Sequence, residues 1–189
     1  MRIVINLVLV LIIAALAYLL IDSIREPIQF QSEREKRESA VEFKLEQIRT
    51  AQESFRDITG EFAPTFDTLQ QVLRTENFAI VSIVGDIDND EEITYDTLFV
   101  PAADSISKLG IVLDSLPYIP YTNGERFDIR ADTMTYQAIL VHVTQVSTTR
   151  DKFMGKFADP RYKRYDDTYD PTGVIKFGDM SKPSLAGNW

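Results

Sequence analysis

The sequence predicts an α+β fold: an N-terminal transmembrane helix, then an amphipathic helix packed on an antiparallel sheet. Three observations predict it. Residues 3–21 form an almost unbroken apolar run. Val41, Leu45, Ile48, Gln52 and Phe55 recur at steps of four, three, four and three, which places them on one stripe of a helix. From Phe78 onward the apolar residues instead come in short β-branched or alternating runs separated by turn residues, the period of strands.

The apolar run holds one polar side chain, Asn6. At about 1.5 Å per residue it is about 28 Å long, close to the ~30 Å hydrocarbon layer of a bilayer. Lipid offers the backbone no hydrogen-bond partners, so a helix is required there. Arg2 precedes the run, and Asp22, Arg25 and Glu26 follow it. The positive-inside rule then leaves residues 1–2 as a cytoplasmic stub and puts the remainder outside, in the periplasm if the membrane is a bacterial inner membrane. A cleaved signal peptide is the competing expectation, because Ala15-Leu16-Ala17 has small residues at the right spacing. Cleavage there would leave a mature chain opening on the apolar Tyr18-Leu19-Leu20-Ile21.

Pro27 is expected to kink or end the membrane helix, since its ring clashes with the preceding turn and it has no N–H to donate. Residues 22–40 read as a juxtamembrane stalk. The charge run Glu33-Arg34-Glu35-Lys36-Arg37-Glu38 supports a solvated helix with i,i+4 pairs such as Glu33 with Arg37. The domain proper is assigned to residues 41–178. Its first helix carries the Val41–Phe55 stripe, widened by Ala51 and Ile58, and stops near Gly60. That stripe docks on the domain's own sheet; a coiled-coil seam is the alternative. Thr65 or Asp67 then caps a short helix with Phe66, Leu69, Val72 and Leu73 on its apolar face.

Strands are expected at residues 79–84, 93–100, 126–134, 136–146 and 174–177 in one sheet of four to six strands. The most apolar of them, with Ala138, Ile139, Leu140, Val141 and Val143, is placed at the centre. Asn123-Gly124 marks a turn, and residues 179–189 form a tail over the surface.

The chain has 189 residues, 44% of them hydrophobic, with 11 Phe and 8 Tyr. The roughly 160 residues outside the membrane suit one domain with a real core. A net charge of −9 with no basic stripe argues against nucleic acid as a partner. The absence of cysteine excludes disulfides, thiolate metal sites and a Cys nucleophile, and fits a bacterial envelope protein.

One stretch carries a family resemblance. Residues 44–69 read KLEQIRTAQESFRDITGEFAPTFDTL. This resembles type IV pilins and type II secretion pseudopilins, in which a helix ending on Ala-Gln, an aromatic, Gly, an aromatic and Pro leads into a short capped helix. The wider order of membrane helix, amphipathic helix and antiparallel sheet is also similar. The resemblance implies a pilin-like fold and a place in an envelope assembly. The prepilin leader motif is absent: no Gly precedes the apolar run and no Glu lies inside it. The chain is likewise similar to single-pass envelope proteins of the Bacteroidota, a likeness that carries no activity with it.

Candidate chemistry is sparse. Asp86, Asp88 and Asp90 alternate as in a Ca²⁺ loop, but the Gly and Glu that such a loop needs further on are replaced by Glu91 and Thr97. Ca²⁺ there is the one cofactor considered; a solvated acidic turn is the alternative. His142, the single histidine, lies in the most apolar strand and reads as a satisfied structural residue. Lys152, Phe153, Lys156, Phe157, Arg161, Tyr162, Lys163, Arg164 and Tyr165 make a basic, aromatic segment in an acidic chain, suited to docking an acidic partner or a glycan. The competing reading tucks the aromatics onto the sheet and balances the cations with Asp166, Asp167 and Asp170.

The expectation for function is a non-enzymatic, membrane-anchored subunit of a bacterial envelope complex, of the secretion or translocation type, that binds and positions. Its partners would be other envelope or inner-membrane proteins, with the bilayer holding the N-terminal helix and self-association allowed. A pseudopilin-like filament subunit and an anchored glycan-binding or hydrolytic domain are the alternatives.

Overall fold

The structure is a computed structural model and describes residues 2–84 and 94–189. Its dominant element is α1, a single helix over Arg2–Thr59. Pro27 lies inside it and does not break it, contrary to the sequence expectation. A proline within a helix costs about 3 kcal/mol. Tertiary contacts on both sides of Pro27 offset that cost: Glu26 accepts hydrogen bonds from Arg164 and Tyr165, and Phe30 is fully buried in the core. The helix ends where Gly60 adopts φ +86° and its N–H bonds back to the Arg56 carbonyl at 2.7 Å.

From Arg2 to Ile21 every side chain of α1 is exposed, so the domain buries none of the apolar run. This part of α1 is long and apolar enough to cross a membrane. The other half is buried along one stripe. Val41, Leu45, Ile48 and Gln52 are fully buried and Phe55 nearly so. The stripe starts eleven residues before Val41, at Phe30, and passes through Arg34 and Arg37. Residues 30–40 are therefore not a solvated stalk. Arg37 does pair with Glu33 at 3.1 Å, as the spacing predicts, but its Nη1 also donates to the Phe153 carbonyl at 2.7 Å. Glu38 binds both Arg34 and Arg150.

Helix α2, Phe66–Thr75, is capped by Thr65, whose hydroxyl accepts from the Thr68 N–H at 3.2 Å. It buries Phe66, Leu69 and Leu73 against α1. Between the two helices, the buried Gln52 amide holds both backbone groups of Ala63, each at 2.9 Å.

The strands form two sheets, where the sequence suggests one. β1 (Asn77–Val84) and β2 (Thr94–Pro101) make a separate antiparallel ribbon. A short helix α3, Ala102–Lys108, follows. β3 (Asp128–Tyr136), β4 (Ile139–Thr149) and β5 (Val174–Gly178) form a second sheet in that order. β4 is central, as expected, but its apolar start is not core. Ala138 sits with Gln137 in the turn, both at positive φ, the mark of a tight two-residue hairpin. Ile139 and Leu140 are 66% and 70% exposed. The buried part of β4 runs from Val143 to Thr148. Among the described residues none buries the hairpin tip. β5 meets β4 closely at Gly178, whose φ is +80°; a Cβ there would lie 2.0 Å from the Thr144 carbonyl oxygen. The tail runs back beside β5, with Asn188 donating its N–H to the Lys176 carbonyl.

Candidate functional site

Residues 150–172 wrap the middle of α1. The wrap begins with a short helix α4, Arg150–Met154, and continues through 3₁₀ turns at Gly155–Phe157 and Pro160–Tyr165. Local chemistry sets these turns. The Asp159 carboxylate accepts from the Arg161 N–H at 2.8 Å, and Pro160 supplies the fixed φ of a first turn. Asp166 accepts from the Thr168 N–H and hydroxyl, and Asp170 accepts likewise from Thr172. The Thr168 bonds, with Arg34 beyond them, hold the Asp166 carboxyl below its ordinary range.

The aromatics of the segment face inward. Phe153, Phe157 and Tyr162 are buried, with the neighbouring Tyr169, around Phe30 of α1. Tyr162 stacks on Phe30 at 5.1 Å and 13°, and Tyr169 meets it edge-on at 4.9 Å and 78°. Phe157 lies 5.9 Å from Phe30 and Tyr165 lies 6.3 Å away. The Tyr169 hydroxyl donates to the Phe157 carbonyl at 2.8 Å, and burial pushes the phenol up to about 12. Arg34 lies over the Tyr169 ring at 5.3 Å and binds Asp166. Phe153, Phe157 and Tyr162 are therefore not open to a partner: they tuck in as the competing reading has it, but onto α1 rather than the sheet. The segment's rings are spent on the chain's own helix, because burying Phe30 requires them.

The cations stay outside: Lys152, Lys156, Arg161, Lys163 and Arg164 are all exposed. Arg164 Nη2 lies 2.8 Å from Glu26 and Arg161 Nη2 3.7 Å from it. The Tyr165 hydroxyl donates to the same Glu26 oxygen at 2.6 Å. That bond, helped by Arg164 and Arg161, lowers the Glu26 carboxyl from its ordinary value. Each guanidinium lies over a phenol ring, Arg161 on Tyr162 at 4.8 Å and Arg164 on Tyr165 at 4.5 Å. Beside them an open groove of about 570 Å³ runs between α1 and the Gly155–Phe157 turn, lined by Ile28, Gln29, Ser32, Arg37 and Lys156 among others.

The remaining candidates are soon placed. Asp86, Asp88 and Asp90, the possible Ca²⁺ ligands, lie outside the described residues. Among the described residues no three His, Asp or Glu side chains converge as a metal site. His142 is half-buried opposite Thr133, with Nδ1 3.1 Å from the Thr133 hydroxyl. Val41, Leu45, Ile48, Gln52 and Phe55 lie together on the core side of α1. Sequence reasoning missed Glu26, Phe30 and Tyr169. The stripe could have been traced back to Phe30 in the same steps of four and three, had Arg34 and Arg37 not been taken as solvent-facing.

Comparison with family models, with curated proteins and with solved structures finds no match to this chain.

Proposed function

We propose that this protein is a membrane-tethered, non-enzymatic subunit of a bacterial envelope complex, with the domain on the periplasmic side of the inner membrane. The observation that carries this reading is the single helix. The apolar run and the core stripe belong to one continuous helix. From residue 22 to Thr59 that helix is about 57 Å long at ~1.5 Å per residue, so the domain is held at a set height above the bilayer. Such a part positions what it binds. The strand ribbons supply apolar surface for binding: Ile80, Leu98 and Phe99 on β1–β2, and Ile139 and Leu140 on β3–β4, are all exposed.

The test is photo-crosslinking in native membranes from positions 99 and 140, followed by affinity purification. A partner of defined mass, captured from either position, is expected. Recovery of the protein alone as a monomer ends the subunit reading. One observation favours a second reading, a pilin-like filament subunit: α1 is bare in its N-terminal half and packed on the domain in its C-terminal half. In that case the crosslinks join copies of this chain, and electron microscopy finds polymers.

A further inference from the structure

We propose that the base of the domain is a second membrane contact, in which Arg161 and Arg164 bind the phosphates of anionic lipids in the leaflet from which α1 emerges. The inference rests on the reading that residues 3–21 span the bilayer. Height is the first argument. With that run filling the hydrocarbon layer, its edge falls near residue 22. Glu26 lies five residues beyond Ile21, about 7.5 Å along the helix. The headgroup layer on each side is about 5–8 Å deep. The two arginines that meet at Glu26 are therefore held at the depth of the lipid phosphates.

Charge is the second argument. The whole chain carries −9, yet residues 152–165 hold five cations against the one carboxylate of Asp159. Two guanidiniums share the one Glu26, and both arginine side chains are 57% exposed. Each guanidinium has about five N–H donors, so donors remain after Glu26 and the tyrosine hydroxyls are served. The nearby acids are Glu26, Asp159 and Asp170, which faces Lys163, with Asp22 and Asp167 close in sequence, while Asp166 is taken by Arg34. The excess of positive charge is therefore local to Arg161 and Arg164, where two guanidiniums meet one carboxylate.

Geometry is the third argument. The rings of Tyr162 and Tyr165 fix the two guanidiniums from one side and leave the other open. A helix alone leaves the rotation and tilt of the domain free; two arginines on phosphates would set both.

Electron paramagnetic resonance of spin-labelled lipids around the full-length protein in vesicles tests this. Phosphatidylglycerol is expected to be held at the protein boundary about fivefold more than phosphatidylcholine, with high salt abolishing the preference. R161Q/R164Q is expected to equalise the two lipids, while R161K/R164K, which keeps the charge, retains the preference. Equal restriction of both lipids in the wild type overturns the proposal, as does a preference that survives in a folded R161Q/R164Q. If neither lipid is restricted at all, α1 is not in the bilayer, and it is the spanning reading that fails.

Discussion

Replacing Phe30 by Ala should loosen the grip of residues 150–172 on α1. Phe30 is fully buried and makes a stacked contact with Tyr162 and an edge contact with Tyr169. Truncating a buried Phe costs about 3–5 kcal/mol, and the two ring pairs, at about 0.5–1.5 kcal/mol each, place this site in the upper half of that range. Ala is the better helix former by about 0.5 kcal/mol, which returns a little. The expected net loss is about 4 kcal/mol, a large share of the ~5–15 kcal/mol that holds a domain together. Phe43 is the internal control: it has the same side chain on the same helix but is 62% exposed, and Phe43→Ala should change stability by no more than about 0.5 kcal/mol. Urea unfolding of the full-length protein in mild detergent, followed by near-ultraviolet circular dichroism, measures both. A Phe30→Ala loss below about 1 kcal/mol, or one matched by Phe43→Ala, refutes the claim that the ring cluster fixes the domain to the helix.

Three further outcomes follow from the same geometry. Gln52→Leu strands the N–H and C=O of buried Ala63 and should cost about 3 kcal/mol in urea unfolding; a neutral result means water or a shifted backbone takes the bonds. Gly178→Ala demands positive φ from a residue with a Cβ and drives that carbon against the Thr144 carbonyl, so a loss above about 3 kcal/mol and faster amide exchange in β5 are expected. Glu26 is held below its ordinary value of 4.5, first by the Tyr165 hydroxyl. A lowered carboxyl contributes stability that is present above 4.5 and is lost as pH falls through its lower folded value. Tyr165→Phe should move the Glu26 midpoint up toward 4.5 in a carbon-13 carboxyl titration, and an unmoved midpoint would show that the arginines alone set it.

The sequence by itself determined the features whose cause is local. A 19-residue apolar run placed in lipid can satisfy its backbone only within itself, as a helix. The stripe from Val41 to Phe55 needs only the 3.6-residue period, and Gly60 ends it because it takes positive φ without strain. Thr65 as the cap of α2 is similarly local. Other features depended on distant residues. Pro27 reads as a break until Glu26 and Phe30 find partners more than a hundred residues away, and those partners keep the helix whole. Arg34 and Arg37 read as solvated until Asp166, Tyr169 and the Phe153 carbonyl come to meet them. Ile139 and Leu140 read as core because they are apolar; their place beside the hairpin turn, beyond the buried stretch from Val143 to Thr148, leaves them exposed. Chain pattern reports what each residue prefers, but burial is a property of what arrives opposite. That is why the sequence left the basic segment between a docking surface and a tucked loop, and the structure divides it into rings that close the core and cations that face out.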